Sequence, residues 1–129
     1  MLNRDDILKA QDLKTETVHV PEWGGDVTVR GMTGAERDKF ESSIVQTRGK
    51  DQTLNMANIR AKLASMTICD EGGKRLFSEA DVQQLSAKSA QALQRIFAVA
   101  QRLSGIGEED VQELAEGLQD NPFADSVSD

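Results

Sequence analysis

The spacing of hydrophobic positions changes along the chain. Between Thr17 and Arg30 they alternate: Val18, Val20, Val27 and Val29, with polar residues between them. A period of two marks strands with one buried face. Gly24-Gly25 lies between the two runs and can take the positive φ angles of a two-residue hairpin loop. With that loop Trp23 faces Asp26, Glu22 faces Val27, Val20 faces Val29, and His19 faces Arg30 on the polar side. The four valines then share one face, and a one-residue slip would break the match. The strands run over residues 14–20 and 27–30. Pro21 beside the first predicts an edge strand. Two strands alone are marginal in water, so the valine face must pack on helices or join a sheet.

Elsewhere the spacing is helical. Asn3 can cap a short first helix, with Asp5 and Asp6 in its first turn and Ile7, Leu8 and Leu13 supplying apolar contacts. Thr33-Gly34-Ala35-Glu36 reads as a capping box that opens a helix over 34–47, with Phe40, Ile44 and Val45 on one side and Gly49 as its stop. Residues 50–53 read as a polar loop. A helix over 54–68 follows, closed by Cys69, with Met56, Ile59, Leu63 and Met66 in one stripe. Ser78 and Asp81 predict a second capping box, flanked by Phe77 and Val82, for a short helix ending near Leu85. The longest apolar helix has Ala90, Leu93, Ile96, Phe97, Ala100 and Leu103 as its stripe, with Phe97 at the centre of the bundle and Gly105 as its stop. Ile106 and Val111 can staple a last helix, in which Val111, Leu114, Ala115 and Leu118 form a narrow face. From Asp120 the chain is polar, contains Pro122, and reads as a disordered tail.

The stretch over residues 20–41, Val-Pro-Glu-Trp-Gly-Gly-x-Val-x-Val-Arg-Gly-Met-Thr-Gly-Ala-Glu-Arg-Asp-x-Phe-Glu, resembles the tail assembly chaperones of bacteriophages with long non-contractile tails and of their prophages. The likeness continues through residues 60–63, 69–74, 76–82 and 100–105, and covers roughly residues 1–116. These motifs are architectural, not catalytic. The resemblance implies a protein that binds the tape measure protein, keeps it soluble, promotes polymerisation of tail tube protein and is absent from the finished virion. It implies the host bacterial cytoplasm as the place of action. Tape measure protein, tail tube protein and a second copy of the chain are the candidate partners.

Composition sharpens this picture. The chain has 129 residues, enough for one modest core. No apolar run approaches the ~18–20 residues of a membrane span, so no membrane role is expected. The single Cys69 excludes an intramolecular disulfide. Net charge is −7. Residues 108–129 hold Glu108, Glu109, Asp110, Glu113, Glu116, Asp120, Asp125 and Asp129 and no Lys or Arg, which is −8. The rest therefore sums to +1, that is −7 minus −8. Without a basic stripe, nucleic acid is not an expected partner.

Catalytic chemistry finds no constellation. His19 stands alone, and Cys69 has no evident base. Residues 70–81 have the length of a calcium loop, but Gly72 and Lys74 bring no side-chain ligand and Arg75 stands where Gly is needed. Gly105-Ile106-Gly107 lacks the Lys-Ser or Lys-Thr pair of a phosphate loop. No cofactor or metal site is expected, and the chain reads as a non-enzyme. Trp23 has two readings, a hairpin-tip residue folded back on the core or an exposed partner anchor. Val111, Leu114 and Leu118, with Glu108, Glu109 and Asp110, form a thin acidic amphipathic face suited to docking on another protein.

The expectation is an α+β, mostly α fold. An N-terminal hairpin packs against four to five helices in one domain over 1–119, with the tail over 120–129. A tail assembly chaperone is the first functional reading. The alternative is a structural tail or head–tail connector subunit retained in the particle.

Overall fold

The valine alternation folds into a hairpin of β1 (Thr15–Val20) and β2 (Gly25–Arg30). The computed structural model describes residues 1–48, 51–54 and 57–105. The register differs from the sequence expectation. Val20 pairs with Gly25 rather than Val29, and His19 with Asp26 rather than Arg30. Residues 21–24 make the connection, with Pro21–Trp23 in a 3-10 turn closed by Gly24 N–H donating to the Pro21 carbonyl at 3.1 Å. Only Gly24 takes a positive φ, at 74°; Gly25 is ordinary strand. The shift is an even number of residues, so side-chain phase survives. Val18, Val20 and Val29 are buried, and half-buried Val27 packs on the same cluster.

The hairpin joins a three-stranded antiparallel sheet in the order β1-β2-β5, which leaves β1 at an edge. β5 is the two-residue strand Ile68–Cys69, paired through Thr28↔Cys69 and Val29↔Ile68. Cys69 therefore sits in the sheet instead of closing a helix.

Five helices complete the described part. They are α1 (Arg4–Lys9), α2 (Gly34–Ile44), α3 (Ile59–Thr67), α4 (Val82–Ser86) and α5 (Ala90–Leu103). Helix α5 lies across β1 and β2, α3 packs on α5, and α2 and α4 pack on α3. The core sits between sheet and helices, with Phe40, Ile44, Leu63, Ile68 and Ile96 fully buried. Both expected capping boxes are present, Thr33 with Glu36 and Ser78 with Asp81, and Gly105 follows α5 with φ 71°. The architecture is α+β, as expected.

Four expectations are corrected. Helix α2 stops at Ile44, and β3 (Val45–Arg48) pairs antiparallel with β4 (Asp51–Leu54), where a helix end and a loop were expected. The β-branched Val45 and Thr47 favour strand there. Helix α3 begins at Ile59, and Met56 lies outside the described residues. Phe97 is half-buried at the core margin with the Arg60 guanidinium 5.7 Å from its ring centre, so Phe40 and Ile96 hold the centre instead; Ala90 is exposed and Ala92 buried. Ile7, Leu8 and Leu13 stay outside the buried core, with Ile7 and Leu8 59% and 65% exposed.

Candidate partner-binding surface

The 3-10 turn at the hairpin tip carries Trp23 to the margin of the core, where it is half-buried. Across from it stands Phe77, just ahead of the Ser78 capping box, and Leu85 near the end of α4. Ser78 N–H donates to Asp81 at 2.8 Å, which fixes the entry of this segment and holds Phe77 inward. Between these walls runs a groove of about 470 Å³ lined by Trp23, Phe77, Leu85, Glu22, Asp81, Gln84 and Lys88. Its floor is mostly apolar and its rim carries both signs of charge. Glu22 is held by Arg95 of α5, so the turn is tied to the helix beneath it. The Trp23 indole N–H is buried and meets no acceptor among the described residues. The Trp23 ring folds back on the core, as the first of its two readings has it, and also forms a groove wall.

At the far end of the hairpin from its tip, where Arg30 pairs with Thr15, lies a buried ion pair. Arg30 is 6% exposed, and its two terminal nitrogens donate to both oxygens of Glu36, at 2.9 and 2.8 Å. Such a bidentate pair is strong and directional. Glu36 also accepts from Thr33 N–H at 2.9 Å, so one carboxylate caps α2 and clamps the end of β2. Burial pushes the Glu36 carboxyl upward, but the hydrogen bonds from Arg30 and Thr33 outweigh it and hold the group below the usual carboxylate range. The same hydrogen bond raises Arg30 above its usual value, against the opposing effect of burial. Arg75 Nη1 stands 3.9 Å from Glu36, and its Nε donates to the Ser65 carbonyl at 3.0 Å. Burial raises the Cys69 thiol, which suits an inert core residue rather than a nucleophile.

The expected opposition of His19 and Arg30 is not found. His19 is exposed and pairs with Asp26 at 2.7 Å, while Arg30 turns into the molecule. The sequence reading assigned Glu36 to the cap and missed its second role, because nothing in strand alternation shows that α2 will cover the polar side of Arg30. The groove's far wall was also missed, although Phe77 was legible as a staple residue. Among the described residues no cluster of His, Cys, Asp or Glu could hold a metal ion, and no helix is long and apolar enough to cross a membrane. Of the residues expected to face a partner, Trp23 is placed at the groove. Glu108, Glu109, Asp110, Val111, Leu114 and Leu118 lie outside the described residues.

Comparison with known proteins agrees with this architecture. The structure of the bacteriophage HK97 tail assembly chaperone is similar with a TM-score of 0.56 at 18% identity, covering 81% of this chain and 95% of that one. At that identity the likeness is one of fold. No curated protein sequence matches. A family model described as phage tail assembly chaperone matches residues 5–116, nearly the whole chain. The chain therefore belongs to the phage tail assembly chaperone family.

Proposed function

We propose that this chain binds a tape measure protein in the host cytoplasm, keeps it soluble, and promotes tail tube polymerisation around it before leaving the assembly. The observation that supports this reading most is the groove at the hairpin tip, with Trp23, Phe77 and Leu85 on its walls. An apolar groove with a charged rim suits one face of an amphipathic helix. Trp is enriched among residues that dominate binding energy. The second contact is the acidic segment. Glu108, Glu109 and Asp110 beside Val111, Leu114 and Leu118 offer charge and an apolar edge to a basic stretch of the partner.

Co-expression with the neighbouring large coiled-coil gene product tests the reading. Rescue of that product's solubility is expected. Gln84→Arg, which crowds the groove from an exposed position, should abolish rescue while leaving thermal stability unchanged. Absence of rescue by the unaltered chain, together with its retention in purified particles, would sink the proposal in favour of a structural tail subunit.

A further inference from the structure

The three-stranded sheet is continued on one side and open on the other. At β5 the ladder runs on through the Cys69↔Arg75 bridge and through Leu76 N–H, which donates to the Ile68 carbonyl at 3.1 Å. At the other side β1 pairs only with β2 among the described residues. Gly31 N–H donates to the Lys14 carbonyl at 3.0 Å, and that bond sets the parity of the hairpin ladder. Hydrogen-bonded and non-hydrogen-bonded positions alternate along an antiparallel pair. Glu16, Val18 and Val20 therefore turn their backbone groups to β2, while Thr15, Thr17 and His19 turn theirs outward. All three are exposed, and their outward N–H and carbonyl groups meet no partner among the described residues. Proteins blunt such an edge with Lys, Pro, a bulge or a covering element. The run Thr-Glu-Thr-Val-His-Val contains no Lys or Pro, and its register with β2 is unbroken.

A second feature lies at the start of this strand. Among the described residues six large hydrophobic side chains are exposed, and five of them fall in residues 1–13: Met1, Leu2, Ile7, Leu8 and Leu13. At the other end of the strand, past Pro21, stands the groove walled by Trp23, Phe77 and Leu85. Antiparallel pairing of β1 with its own copy lays one end against the other. A two-fold axis at Thr17 sets Thr17 against Thr17 and Thr15 against His19. Every outward backbone group of the three residues then finds its complement. Glu16 comes opposite Val18 with its charge already met by Arg102, 2.8 Å away. No like charges face each other within the paired strands. The same register places Leu13 opposite Pro21 of the second copy, which brings the exposed arm to that copy's hairpin tip.

We infer that two copies of this chain join through β1, edge to edge about a two-fold axis at Thr17. Their two three-stranded sheets become one antiparallel sheet of six strands, with an apolar arm beside each hairpin tip. Such a contact uses the same patch on both copies, so it closes at two. The inference does not rest on what else the chain binds.

The test uses the full chain. Sedimentation equilibrium should give twice the monomer mass. Thr17→Pro deletes an N–H that β2 does not use, and Thr17→Lys sets two ammonium groups face to face. Each should weaken the dimer about tenfold or more while the far-ultraviolet circular dichroism stays unchanged. Should Thr17→Pro disturb the fold, Thr17→Lys decides alone. Under mild oxidation Thr17→Cys should form a disulfide between copies, because directly paired Cα atoms stand about 5.5 Å apart, within disulfide range. It should do so about tenfold or more faster than Asp26→Cys, exposed on the same face but one strand further in. A chain that stays monomeric, a mass that keeps growing with concentration, a dimer untouched by Thr17→Lys, or Thr17→Cys oxidising at the Asp26→Cys rate would each overturn the inference.

Discussion

Helices α1 and α3 are opposites. α1 has every local feature of a helix start. Asn3 accepts from Asp6 N–H at 2.9 Å, Asp6 accepts in return from Asn3 N–H at 3.1 Å, acids fill the first turn, and Lys9 stands in the last. Yet α1 buries no residue. α3 starts from Asn58 at a positive φ of 59°, with no side-chain cap and no acid in its first turn. Seven of its nine residues are nevertheless buried, among them Leu63, Ala64 and Thr67. Caps decide where a helix begins; burial decides whether a short one persists, because an isolated helix under ~12–15 residues is marginal in water. α2 stands between them, capped by Thr33 and Glu36 and anchored by Phe40, Ile44 and the Arg30 bridge.

This contrast can be broken most forcefully at α2. Glu36→Ala removes a cap and leaves Arg30 buried without its counter-charge, and such a loss costs about 3–5 kcal/mol. Chemical denaturation should show that drop; one below ~1 kcal/mol would reduce the pair to an ordinary cap. The bridge also predicts a direction in pH. The folded-state value of Glu36 is depressed, so its stabilisation is full above the ordinary carboxylate range. It is lost as pH falls through the lower folded value, and Glu36→Gln should flatten that limb of the stability–pH curve.

Leu63→Ala, in the uncapped but buried α3, should cost about 2–5 kcal/mol. A denaturation midpoint near that of the unaltered chain would mean that α3 is not held by burial. Smaller is Gly24→Val, which places a β-branched residue at φ 74° and should cost roughly 1–3 kcal/mol. Gly25→Val meets open space at an ordinary strand angle and should be near neutral. Equal losses at the two glycines would restore the two-residue loop. The smallest effect belongs to α1. Asn3→Ala removes a cap that ordinarily contributes ~1 kcal/mol, yet the melting temperature should not move, because α1 is not coupled to the core. Only amide exchange within residues 4–9 should quicken.

What was legible in the sequence follows the same division. Most signals held in a few adjacent residues were read correctly, namely the boxes at Thr33 and Ser78, the stop at Gly105 and the shared valine face, but the Gly24-Gly25 pair was not, since Gly25 is strand and residues 21–24 make the turn. Features set by distant residues were not. Two-residue β5 is too short to show a period and exists because β2 offers an edge. Arg30 looked like a surface residue until α2 covered it. The switch at Val45 had a local signal in its β-branched residues, but the absence of a breaker before Gly49 outweighed it. The groove was half visible. Trp23 stood out as the only Trp and Phe77 as a staple residue, but their meeting joins segments more than fifty positions apart, and no local pattern encodes it.

A Cβ on Gly31 would lie 2.6 Å from the Leu103 carbonyl oxygen, so the end of α5 rests directly on the backbone that links β2 to α2. The consequence concerns the order of events during synthesis. The hairpin leaves the ribosome early, but its valine face stays uncovered until α5 has also emerged. The sheet lacks its third strand until residue 69 does. We predict that force on a nascent chain will peak only after Ser104 clears the exit tunnel. A peak once α2 has emerged would show that the N-terminal third folds by itself. Until that peak, the unfinished chaperone exposes apolar surface of the kind that it is proposed to shield in its partner.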